Sequence, residues 1–79
     1  GTTVTLTPKR EIFVNQTRVS EEGLEKALQE ALSKNSAKTV ILRGDKEVLL
    51  GDTVKVMSII KRAGASEIAI AAEAERKAR

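Results

Sequence analysis

A chain of 79 residues makes a single domain, and a domain that short buries only about 60% of the surface its unfolded chain exposes, so its stability is modest. It has no cysteine and no histidine, which excludes disulfide staples, the common zinc ligand sets and any Ser-His or Cys-His nucleophile pair. Its 14 basic and 11 acidic residues leave a net charge of +3, and the cations are scattered, with doublets only at Lys9-Arg10, Lys61-Arg62 and Arg76-Lys77, so the charge reads as a solvated surface.

Thr3 to Thr7 alternates, with Val4 and Leu6 on one face and threonines on the other, the pattern of a half-buried strand. Pro8 ends it, since proline has no N–H for the ladder. A second strand covers Glu11 to Val14, Asn15-Gln16 makes a turn, and Thr17 to Val19 is a short extended return. Gln16 resists positive φ, which makes this a weaker turn than Asn-Gly. Ser20 is a good N-cap, and Glu21 and Glu22 suit the positive end of a helix dipole. The helix predicted from about Glu21 to Lys34 has one apolar stripe of Leu24, Ala27, Leu28, Ala31 and Leu32. Gly23 in its first turn costs roughly 1 kcal/mol relative to alanine.

Thr39 to Arg43 is a strand with apolar residues on both faces, which points to a position inside a sheet. Gly44-Asp45-Lys46 turns the chain, and Glu47 to Leu50 reads as a short extended piece. Gly51 or Asp52 opens a second helix that runs to about Ala63. Val56, Met57, Ile60 and Ala63 form its buried stripe, with Ile59 at the margin and Val54 well away from it. Gly64 is placed to close the helix in the left-handed region. Glu67 to Ala72 is the last strand, and Ile68 to Ala72 is the longest apolar run, far short of the roughly 20 residues that cross a bilayer. These elements predict an α+β domain over residues 1–72, with two helices on one face of a single mixed sheet of four or five strands. The order is β-β-α-β-(β)-α-β, the bracketed strand being Glu47 to Leu50. Residues 73–79 form a charged tail.

No catalytic constellation is visible. The carboxylate pairs Glu21-Glu22, Asp45-Glu47 and Glu73-Glu75 lie at a helix start, a turn and the tail, without the apolar shielding that raises a carboxyl pKa. The glycines are too dispersed for a phosphate cradle. Arg43-Gly44-Asp45 matches the tripeptide that cell-adhesion receptors recognise, but glycine and aspartate at this position are ordinary turn chemistry. No cofactor or metal is expected. A small basic α/β domain that binds nucleic acid is the alternative reading of the composition. Against it, Phe13 is the single aromatic residue and there is no GXXG loop, so the usual single-strand platforms are missing.

Taken together, the strands Val4-Thr5-Leu6 and Ile12-Phe13-Val14-Asn15, then Val19-Ser20 leading to Leu24 and Leu28, resemble the opening of the periplasmic domain of the ExbD/TolR family. The likeness is most specific in Val40-Ile41-Leu42-Arg43-Gly44-Asp45-Lys46, Val48, Gly51, Val54-Lys55-Val56-Met57, Ile60-Lys61, Ala63-Gly64 and Ile68-Ala69-Ile70-Ala71. Two positions depart from the family pattern: Leu50 stands where an aromatic is usual, and Ser58 where an Asp often follows Val-Met. The family's membrane helix, with its proton-responsive Asp, has no counterpart in this chain.

The resemblance implies the periplasmic part of a bacterial inner-membrane subunit driven by the proton-motive force. Such a subunit is a homodimer without enzymatic activity, assembles with an ExbB- or TolQ-like channel protein, and passes work to a TonB- or TolA-like protein. TolR-like members are also associated with peptidoglycan. No nucleic-acid partner is implied. Contacts of this kind need exposed sheet edges, which offer unpaired N–H and C=O groups to an added strand. The opening and closing strands are the expected edges. Val4, Leu6, Ile68 and Ile70, together with the off-stripe Val54, are therefore the expected partner or dimer contacts.

Overall fold

The computed structural model describes residues 1–45 and 47–72, so the tail expected over residues 73–79 lies outside the described residues. Seven elements follow in order: β1 (Thr2–Leu6), β2 (Ile12–Val14), β3 (Thr17–Val19), α1 (Glu21–Ser33), β4 (Thr39–Gly44), α2 (Leu50–Arg62) and β5 (Glu67–Ala72). The five strands form one mixed sheet in the order β3-β2-β1-β4-β5. β1, β2 and β3 are an antiparallel meander, and β4 and β5 add in parallel to the other side of β1. The expected α+β class, mixed sheet and two helices are all present.

The fifth strand arises from a different segment than expected. Thr17–Val19 is a true strand, paired with Ile12–Val14, whereas Glu47 and Val48 lie in a turn and Leu50 already begins α2. Asp45 explains this: its carbonyl accepts from the Val48 N–H at 3.0 Å and its carboxylate from the Glu47 N–H at 3.2 Å. An Asx turn of this kind satisfies the backbone locally and leaves nothing to pair with a neighbouring strand. The Arg43-Gly44-Asp45 tripeptide is accordingly a strand end and a turn. In the β2–β3 connection only Asn15 takes a positive φ, of 57°, which spares Gln16 that conformation.

Local signals account for the helix ends. Ser20 Oγ accepts from the Gly23 N–H at 3.0 Å, satisfying one of the orphan donors of the first turn. A Cβ on Gly23 would stand 3.3 Å from that same oxygen, so the glycine that weakens the turn also makes room for its cap. At the other end Lys38 Nζ donates to the Leu32 carbonyl at 3.2 Å. Gly64, at φ 110°, follows α2 in a conformation that L side chains rarely adopt.

The core lies between the sheet and the two helices. Val4, Leu6, Ile12, Val14, Val40 and Leu42 face Leu24, Leu28 and Leu32 of α1 and Val56, Ile59 and Ile60 of α2, all of them buried. Ile59, expected at the margin, is inside, while Met57 is only half-buried. The buried polar side chain of Thr2 accepts a hydrogen bond from Asn35 Nδ2 at 3.1 Å, and no buried side-chain polar atom among the described residues lacks a partner.

Leu28 is fully enclosed, so Leu28→Ala removes buried surface and leaves a cavity, a loss of about 2–5 kcal/mol. In a domain this small that is a large part of the total stability. Urea denaturation should show a pronounced fall in midpoint, while Leu50→Ala, at a side chain 77% exposed, should leave it nearly unchanged.

Candidate functional site

The topology separates the expected contact residues into two groups. The opening strand is not an edge: β1 is the middle strand, bonded to β2 on one side and β4 on the other. Val4 and Leu6 are buried at 0% and 5% exposure, so in this fold they hold the core and offer nothing to a partner. An amphipathic central strand covered on one face shows the same alternation as an edge strand, which is why the sequence pattern does not distinguish them. The closing strand is an edge. No described strand pairs with the outer side of β5, and Ile70 and Val54 are exposed at 61% and 55%. Ile68 is half-buried against the core. The second edge is β3, which sequence reading treated only as a short return.

Placement of the helices gives the β5 side its character. Lys55 Nζ lies 3.1 Å from a Glu21 carboxylate oxygen and Arg62 Nε 3.2 Å from Glu25. These two ion pairs turn one flank of α2 toward α1, which itself packs against β2 and β3. At 100° per residue, Met57 and Leu50 lie on the opposite flank, whereas Val54 is about a quarter turn from it, on the crest that points away from the buried Val56, Ile59 and Ile60. That flank faces away from α1, toward the side of the sheet that ends in β5. Ile68 and Ile70 pair with the buried Val40 and Leu42, so they project from the same, helix-covered face of the sheet.

A cleft of about 480 Å³ opens beyond the carboxyl end of β1, between the β1–β2 turn and the first turns of both helices. Leu6, Ile12, Val48 and Val56 line its interior. Arg10 spans its mouth, with Nε 3.0 Å from Asp52 Oδ2 and the terminal nitrogen Nη2 2.8 Å from Oδ1, a bidentate pair. Arg10 has a φ of 68°, a conformation tolerated in the turn that follows Pro8-Lys9. The hydrogen bonds from Arg10 hold the Asp52 carboxyl below its ordinary value, against an opposing push from partial burial, and Asp52 in turn raises the Arg10 pKa.

Among the described residues no group of His, Cys, Asp and Glu is arranged to hold a metal ion. The carboxylates around the cleft are each engaged with a cation: Asp52 with Arg10, Glu21 with Lys55, and Glu11 with Arg18 at 3.7 Å. The uncovered face of the sheet carries Thr3, Thr5, Phe13 and Ile41. Two features escaped sequence reading. The Arg10–Asp52 pair joins residues 42 positions apart, a contact no local pattern encodes. Leu49 and Leu50, placed there in a short extended piece with no statement on burial, are exposed at 58% and 77%.

Because the folded Asp52 pKa lies below its ordinary 3.8, its ionised form stabilises the fold above that pH, and the contribution is lost as pH falls through the folded value. Asp52→Asn should therefore lower the urea midpoint at pH 7. The gap to the unaltered chain should close as the pH is taken below 3.8; a gap of unchanged size in that range would show that the pair contributes nothing.

Comparison with known proteins matches residues 1–75 to the family described as "Biopolymer transport protein ExbD/TolR". The chain is 30% identical over 73 residues to "Biopolymer transport protein exbD2" of Vibrio cholerae serotype O1, an alignment covering 92% of this chain and 54% of that protein. The chain thus spans about half the length of the curated relative it matches. With the match running almost from end to end, this chain belongs to the ExbD/TolR family of biopolymer transport proteins.

Proposed function

We propose that this chain is the periplasmic domain of a bacterial inner-membrane subunit in a Ton- or Tol-type complex, where it transmits work drawn from the proton-motive force toward the outer membrane. It does so by dimerising and by binding other proteins, without catalysis of its own. The observation that carries this reading is the family match over residues 1–75. The fold supplies a compatible means: β5 presents its backbone to an added strand, with Ile70 exposed on it.

The expected partners follow from the same reading. They are a second copy of the chain, an ExbB- or TolQ-like channel protein held at the membrane, and a TonB- or TolA-like protein that reaches outward; a TolR-like role would add peptidoglycan. None of the described helices is long and apolar enough to cross a membrane. In this reading the membrane anchor and its proton-responsive residue belong to the part of the protein that relatives of about twice this length carry beyond the matched region.

The test is fractionation of the protein expressed from its own locus, followed by protease treatment of spheroplasts. The expected result is a product larger than this chain, recovered with the inner membrane and cleaved from outside. A product of this size in the cytosolic fraction would remove the transducer reading.

A further inference from the structure

We propose that the cleft beyond the carboxyl end of β1 binds small aliphatic carboxylates, whose charged end takes the place of the Asp52 carboxylate on the Arg10 fork while the hydrocarbon body lies on the floor of Leu6, Ile12, Val48 and Val56. The transducer reading above makes no use of this cleft and does not depend on it.

The floor decides what body the cleft takes. Those four aliphatic side chains line the interior, and no aromatic ring is among the lining residues. No buried side-chain polar atom of the described residues is left without a partner. Such a floor offers no spare hydrogen bonds to the hydroxyls of a sugar and no ring on which a base could stack. A hydrocarbon body gains from it, because contact removes apolar surface of both partners from water. The space of about 480 Å³ lies within the range of small-ligand pockets.

The mouth decides what head group goes with that body. Arg10 Nε and Nη2 stand 3.0 and 2.8 Å from the two oxygens of Asp52, so one carboxylate already sits in the fork at the edge of the apolar floor. Asp52 thus marks the position and orientation of a carboxylate brought from outside. A planar carboxylate matches the guanidinium with two parallel hydrogen bonds, which an alcohol cannot do. Arg10 is held over the mouth by a backbone φ of 68°, a region that residues other than Gly, Asn and Asp visit uncommonly. Strain of this kind collects at sites that clamp ligands.

Exchange at the fork strands no charge. The Asp52 side chain is 22% exposed, so on leaving Arg10 it meets water, and Lys55, on the next turn of α2, already favours its ionised form. Glu11 and Glu21, the other carboxylates of the rim, keep Arg18 and Lys55 as their partners. With Arg10, Arg18 and Lys55 against Glu11, Glu21 and Asp52, the rim is neutral, and the ligand adds one negative charge to it. Binding is therefore modest, and removal of the Asp52 charge strengthens it.

The test is an NMR titration of this chain with octanoate, with octanol and acetate as the body and the head taken separately. Octanoate should give saturable amide shifts at Arg10, Val48 and Asp52 in the millimolar range. Octanol and acetate should each bind more weakly by about tenfold or more, since each lacks one half of the interaction. Arg10→Lys, which keeps the charge and loses the fork, should weaken octanoate binding by about tenfold. Asp52→Asn should bind octanoate several-fold more tightly although it lowers the urea midpoint, a gain that a purely structural ion pair would not give. Both positions are at the surface, and the dispersion of each spectrum reports that the variant is folded. Acetyl-Leu-Leu with a free carboxyl end separates two sources of the same chemistry. Tighter binding than octanoate identifies the carboxyl end of an apolar peptide as the ligand, and weaker binding identifies a free aliphatic acid. The proposal is overturned if no saturable shifts appear at the cleft, if octanol binds as tightly as octanoate, if Arg10→Lys binds as well as the parent, or if Asp52→Asn binds no better.

Discussion

The parallel ladder between β1 and β4 is the constraint on which the structure depends. Five consecutive residue pairs, from Thr2↔Val40 to Leu6↔Gly44, join segments that lie far apart in sequence. A parallel connection needs a crossover, and a crossover of right-twisted strands is right-handed. The chain makes two, from β1 to β4 and from β4 to β5, and both advance in the same direction across the sheet. Equal handedness and equal direction put α1 and α2 on one face. Val4, Leu6, Val40 and Leu42 are enclosed for that reason, and Thr3, Thr5 and Ile41 are left on the uncovered face.

One-sided coverage also decides where interaction is possible. Two helices, each about 10 Å wide, only just span five strands that stand about 4.8 Å apart, so a shift of either helix to one side leaves the far edge uncovered. α1 takes the β2–β3 side, and the ion pairs to Glu21 and Glu25 draw α2 inward against it. The deficit falls on β5, where Ile68 is half-covered and Ile70 is not.

Much of this was legible in the sequence because it is locally encoded. The Ser20 cap, the Leu24–Leu28–Leu32 stripe, the β propensity of Thr39 to Arg43 and the Gly64 stop each act within a few residues, and each stands where the pattern places it. The errors concern partners distant in sequence and one local turn that competes with a strand. Alternation in Val4 and Leu6 says which face is buried and is silent on which strands lie alongside, so the central strand was read as an edge. Glu47 to Leu50 has the composition of a strand, but the Asp45 turn consumed its hydrogen bonds. Arg10 and Asp52 stand 42 positions apart and meet only where the start of α2 packs beside the β1–β2 turn. For the candidate surface, Ile70 was legible as part of an expected edge strand and Val54 as an apolar residue off the buried stripe, whereas the rotation of α2, which the Lys55 and Arg62 ion pairs report, appears only in three dimensions.

The two edges of the sheet are unequal, and the inequality bears on which one a partner would use. β3 has three residues, sits in a tight hairpin, and carries Arg18 at its middle. Those are the devices by which natural sheets discourage further pairing. β5 is twice as long, regular, alanine- and isoleucine-rich, and flanked by apolar helix residues. An edge of that kind is an aggregation hazard for a chain that works alone. A strand added there would meet backbone groups already aligned by β4 and would need no deep core. In a small domain with little stability to spare, association at such an edge would add to the stability of the folded state by mass action and would require no larger interior.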